Sequence, residues 1–139
     1  MAAFNKFQQF VEDVGLGVHN LNTGTLKIYL SNTTPDAAAD AVKADLAEIT
    51  AENGYTAGGA DTQNTYTESG GTGSCVGTDV VWTASGGTIG PFRYVVLYND
   101  TPTSPADPLI GWWDYGSALT LQAGETFTTD FGSSMFTVA

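Results

Sequence analysis

With 139 residues, 15 acidic side chains against four basic ones and a formal charge of −11, the chain has the length of one domain and a charge that excludes a nucleic-acid binder. Neutralising phosphates takes clustered cations, and Lys6, Lys27, Lys43 and Arg93 are scattered. Cys75 is the only cysteine, which rules out an internal disulfide and fits synthesis in a reducing cytosol, and no run approaches the ~18 apolar residues of a membrane-spanning helix.

Along the chain, residues 3–14 place Phe4, Phe7, Val11 and Val14 on one helical face with Phe10 beside them, while Asn5, Gln8, Gln9, Glu12 and Asp13 take the other. Gly15 and Gly17 end the pattern. The spacing predicts a short amphipathic helix packed on a sheet, with its connection filling residues 1–20. An exposed arm that docks its phenylalanines on a partner is the sharper alternative. His19 has no second histidine to share a metal and no identifiable nucleophile, so a hydrogen-bonded structural role is expected. Residues 25–31, TLKIYLS, alternate Leu26, Ile28 and Leu30 against Lys27 and Tyr29, as a half-buried strand does.

In residues 32–53, Thr34 is of a type that caps helices and Pro35 suits a first helical position, while alanines favour helix as far as Leu46. The apolar face is weak, which predicts at most a short helix inside a long loop. Residues 54–77 are rich in Gly, Thr, Ser and Asn and read as a polar loop region, punctuated by Gly58-Gly59 and Gly70-Gly71, with an edge strand at 62–67. These glycines lack the lysine and following helix of a phosphate-cradling loop.

After Val76 the chain reads as strands at about 79–84, 92–98, 109–115, 118–121, 126–131 and 135–138. The strongest is PFRYVVLYND, residues 91–100. An unbroken pleat puts Phe92, Tyr94, Val96 and Tyr98 on one side and Val95 and Leu97 on the other, so this strand needs cover on both faces. Arg93 within it calls for an acidic partner on a neighbouring strand, Asp79 or Asp114. Ala123-Gly124 fits a tight hairpin, and the three prolines between Asp100 and Pro108 mark an exposed loop. Phe127, Phe131, Phe136 and Val138 close the core. The expected fold is all-β, a jelly-roll-like β-sandwich with a short N-terminal amphipathic helix, as one domain over residues 1–139. A closed barrel has the same periodicity.

The motifs of an enzyme are missing: no C-x-x-C, H-E-x-x-H, G-x-S-x-G or calcium-loop spacing occurs. Asp100, Asp107, Asp114 and Asp130 are the one resource for a glycosidase pair or a calcium cluster, and scattered solvated acids are the commoner meaning of such residues. The expectation is a non-enzyme with no catalytic residue, cofactor or metal. Trp82, Trp112, Trp113 and the tyrosines raise the alternative of stacking on sugars. Trp112 and Trp113 are adjacent in a strand and so face opposite ways, one towards the core and the other towards a partner or neighbouring subunit. Phe4, Phe7, Phe10, Trp112 and Trp113 are the candidate interface residues.

Three stretches together carry a resemblance: FNKFQQFVEDVGLGVHNL, EITAENGYTAGG, and WTASGGTIGPFRYVVLYND followed by LIGWWDYGSALTLQAGETFTTDF. They resemble small virion proteins of tailed bacteriophages, in particular capsid cement, or decoration, proteins. The resemblance implies a structural protein, made in the host cytoplasm, that sits as a homo-oligomer, dimer or trimer, on the outside of the head and bridges subunits of the major capsid protein. It implies no chemistry, no nucleic acid and no membrane. A carbohydrate- or receptor-binding module of a phage fibre or tail is the alternative, and a head-to-tail connector is a third reading.

Overall fold

The computed structural model describes residues 2–139. Its elements run β1 Phe4–Lys6, α1 Gln8–Gly15, β2 Leu26–Ser31, a 3-10 turn at Lys43–Asp45, β3 Ala60–Asp61, β4 Thr65–Ser69, β5 Thr72–Val76, β6 Val80–Thr83, β7 Ile89–Asn99, β8 Leu109–Leu121, β9 Thr126–Thr129 and β10 Phe136–Val138. The chain is therefore mostly β, with one short α-helix. Every strand pairing is antiparallel: β1-β8-β7-β2-β3 form a five-stranded sheet, β10-β5-β4 a three-stranded one and β6-β9 a two-stranded one.

One core joins the three sheets. Leu26, Ile28 and Leu30 of β2, Val95 and Leu97 of β7, and Ile110 and Trp113 of β8 pack with Cys75 of β5, Trp82 of β6 and Phe136 of β10. Burial at this level stabilises by about 1.5–3 kcal/mol per large apolar side chain. Cys75 sits wholly inside, where loss of water pushes its thiol pKa up to about 12.

The other face of the five-stranded sheet has its own cover, as the two-sided apolar pattern of β7 requires. Tyr29, Tyr94, Val96, Tyr98 and Leu109 pack with Phe7 and Leu46. The 32–59 excursion is fastened over them by polar groups. Glu48 takes the Lys43 ammonium at 2.9 Å, the Tyr55 hydroxyl at 2.6 Å and the Gly58 N–H at 2.8 Å, and the Tyr98 hydroxyl donates to Gly58 O at 2.7 Å. The Lys43 ammonium also lies 4.8 Å from the centre of the Tyr29 ring.

Several expectations shift. Phe92 packs in the three-sheet core with Val95 and Leu97, whereas Tyr94, Val96 and Tyr98 face the other way. The register with β8 slips between Phe92 and Tyr94, and that irregularity turns Phe92 over. Strands expected at 109–115 and 118–121 are one strand, β8. Gln122 to Glu125 make a tight turn, but the strands it joins do not pair with each other: β8 lies beside β7 and β9 beside β6, so the turn carries the chain between sheets. The polar 54–77 stretch contains β3 and the β4-β5 hairpin about Gly70-Gly71. Residues 32–53 do keep to the expected long loop, with only the 3-10 turn at Lys43–Asp45. Asp36 accepts the N–H groups of Ala38 and Ala39 and Asp45 those of Ala41 and Val42, satisfying locally the donors that a helix would use.

Candidate interaction surface

The N-terminal segment is built from two elements rather than one helix. Phe4 to Lys6 extend along the edge of β8, with Phe4 opposite Trp113 and Asn5 opposite Trp112. Phe7 continues the extended chain, gives its N–H to Ile110 O at 3.1 Å, and is the residue from which α1 starts. Its ring is fully buried and lies 4.6 Å from that of Trp112. Because β1 takes Phe4 and Phe7 out of the helix, α1 turns a different face inward, burying Phe10 and Asp13. Val11 is 57% exposed, Val14 38% and the following Leu16 71%, which overturns the expected Phe4-Phe7-Val11-Val14 face.

Phe4 is half-buried, stacked on Phe136 at 5.0 Å and edge-on to Trp113 at 5.4 Å, and Phe10 meets Phe136 edge-on at 5.8 Å. Between α1 and β10 these rings floor a groove of about 290 Å³, lined also by Lys6, Val11, Val14 and Val138. No carboxylate side chain lines it, in a chain with 15 of them. Lys6 is exposed at its side and, among the described residues, is the one basic residue outside the ion pairs Lys27–Asp100, Lys43–Glu48 and Arg93–Asp114.

Of the five candidate interface residues, Phe7, Phe10 and Trp113 belong to the interior and Phe4 and Trp112 are half-buried. Trp112 and Trp113 do face opposite sides of the sheet, the first against Phe7 and the second in the three-sheet core. The accessible apolar surface of this region is Val11, Val14 and Leu16. One signal pointed to it: Leu16 lies between two glycines, Gly15 and Gly17, which supply no side chain to cover it.

Behind α1 lie two buried polar atoms with no hydrogen-bond partner among the described residues, Oδ2 of Asp13 and Nε2 of His19. Asp13 accepts from Gln9 Nε2 at 3.1 Å through its other oxygen. Burial lowers the His19 pKa, and the nearby Asp13 carboxylate opposes that shift. The four carboxylates considered for chemistry do not converge. Asp114 grips Arg93 at 2.8 Å, Asp130 accepts the Gly132 N–H at 3.0 Å, and Asp100 pairs with Lys27 at 2.9 Å. Only Asp107 joins another, Asp100; burial first and then this neighbour raise its pKa. No group of three or more His, Cys, Asp or Glu among the described residues is placed to hold a metal ion. No family model matches the chain, and no curated protein or solved structure matches it either.

Proposed function

We propose that the protein is a structural component of a tailed-bacteriophage virion, a cement or decoration protein that binds the outside of the head and stabilises contacts between subunits of the major capsid protein. The observation that carries this reading is the clustering of Val11, Val14 and Leu16 beside a groove free of acidic side chains on an otherwise acidic domain. Exposed apolar groups gathered on one surface mark a place where another macromolecule sits. The resemblance of the N-terminal, middle and C-terminal segments to phage decoration proteins names that macromolecule. The finer fold assignment, a jelly-roll-like β-sandwich, is supported by the single core shared between the five-stranded sheet and the two smaller ones. The alternative sugar-binding role loses its main support, because Trp82 and Trp113 are buried and Trp112 is covered by Phe7.

A protein that binds the assembled shell and not free subunits stabilises the shell by linkage. Particles carrying it are expected to release their genome at a higher temperature than particles stripped of it, and adding the purified protein back should restore the difference. Equal release temperatures, or a label found only at the tail, overturn the proposal.

A further inference from the structure

Asn53 is the one asparagine of the chain that is followed by glycine. In such a pair the side-chain amide is open to attack by the next backbone nitrogen, because glycine puts no Cβ in the way. The two residues form the centre of a turn: the Tyr55 N–H donates to Glu52 O at 3.0 Å, and Asn53 and Gly54 have positive φ angles of 55° and 106°. This is the type I′ pattern. Gly54 is required there, since a Cβ would also collide with the carbonyl oxygen of Thr83.

The same turn fastens the 32–59 excursion to the connection between β6 and β7. Asn53 O accepts the Ser85 N–H at 2.8 Å, and Asn53 Nδ2 donates to Thr88 O at 2.8 Å. Gly87 makes room for the carboxamide, because a Cβ on it would stand 2.6 Å from Nδ2. The nitrogen that deamidation must expel is therefore the atom that holds the latch. Ring closure brings the Gly54 nitrogen onto Cγ of Asn53 by rotating the backbone between them. The Glu52–Tyr55 bond and the two bonds to residues 85 and 88 resist that rotation.

We propose that Asn53 is a guarded modification site, intact while the 52–55 turn stays closed and deamidated once it opens. The chemistry needs only the chain and water. The Gly54 nitrogen gives up its proton to solvent base and attacks Cγ; the Cγ–Nδ2 bond breaks, and ammonia leaves with a proton from solvent, giving a cyclic imide. Water then adds to either imide carbonyl and opens the ring, to aspartate or to an isoaspartate whose main chain runs through the side-chain carbon. Either product adds a negative charge to a chain already at −11. Aspartate sets an oxygen where Nδ2 donated, acceptor against the Thr88 acceptor, and isoaspartate lengthens the turn by one backbone atom. Neither product refastens the latch, so an opening long enough for the chemistry is recorded permanently. This inference does not depend on the decoration reading.

Peptide mass spectrometry of the whole protein, held at mildly alkaline pH both folded and in urea, tests it. In urea Asn53 should convert ahead of every other asparagine. In the folded chain it should convert slower by about tenfold or more, since only the opened fraction reacts. Glu48→Gln, which loosens residues 43–58, should speed the folded reaction. Asn53→Asp, the product made directly, should show faster amide exchange at Ser85 and in residues 52–55 than the wild type. Should that variant fail to fold, the wild-type rates still decide. Equal rates folded and in urea, an unfolded chain in which Asn53 is no faster than the other asparagines, a folded rate unchanged by Glu48→Gln, or an Asn53→Asp protein that protects Ser85 as the wild type does overturns the proposal.

Discussion

Asn99 fixes the protonation of His19. Its amide oxygen accepts the Thr101 N–H at 3.1 Å, so its amide nitrogen, 3.1 Å from Nδ1 of His19, donates to that ring atom and leaves the proton on Nε2. A protonated imidazole carries N–H on both nitrogens and no longer accepts from Asn99. Burial of the ring opposes the charge as well and lowers its pKa from 6.5, against the opposing pull of the nearby Asp13 carboxylate.

The pH dependence follows in sign. Below 6.5 the unfolded chain takes up the His19 proton and the folded chain resists it, so stability is full above that pH and falls as pH drops towards the lowered folded value. Denaturant midpoints measured across this window should decline with acid in the wild type. In His19→Gln the decline should be flatter there, and the His19 ring resonances should titrate below 6.5. A His19 that titrates above 6.5 contradicts the arrangement.

Val96 is fully buried between Tyr29, Tyr98 and their neighbours, on the strand that lies in the middle of the five-stranded sheet. Val96→Asp places an unpaired charge there, costing several kcal/mol against a total domain stability of about 5–15 kcal/mol. The variant should fail to melt cooperatively. Val81→Asp, on a side chain 57% exposed, should shift stability by no more than about 0.5 kcal/mol.

Phe7→Ala empties a fully buried ring site beside Trp112 and should cost about 3–5 kcal/mol. Tryptophan emission should move to the red, because Trp112 loses its cover. Phe4→Ala, at a half-buried ring, should cost less and should alter the groove rather than the fold.

Glu48 ties Lys43, Tyr55 and Gly58 together and is itself mostly shielded. Glu48→Gln keeps the shape but removes the charge and one acceptor, which should cost about 1–3 kcal/mol. Faster amide exchange should appear in residues 43–58 and leave β7 unaffected.

The legible parts of the sequence were those where local pattern and tertiary need agree. β7 is apolar on both faces and buries both, and Arg93 within it did find its acid, binding Asp114 through two nitrogens at 2.8 and 3.1 Å. β2, expected to be half-buried, is covered on both faces, because Leu46 and the tyrosine and valine side chains of β7 enclose Tyr29. Phe92 was misplaced because a strand pattern assumes an unbroken pleat, and the slip against β8 is a property of the pair, invisible in either strand alone. The inward face of α1 was misread for a similar reason. Pairing of Phe4 to Lys6 with β8 removes two phenylalanines from the helix, and Asp13, a charged residue, then turns inward. The β4-β5 hairpin was hidden by composition, since its threonines, serines and glycine suit a loop as well as a half-exposed sheet.

The burial of Cys75 has a practical consequence. Its thiol is enclosed and holds its proton until about pH 12, so the folded surface offers maleimide dyes no natural target. A single cysteine introduced at an exposed position such as Thr67 on β4 then becomes a unique chemical address, and a fluorophore attached there reports this protein alone. Copies held in any larger assembly can then be counted by stepwise photobleaching, with no fusion partner to disturb the contacts.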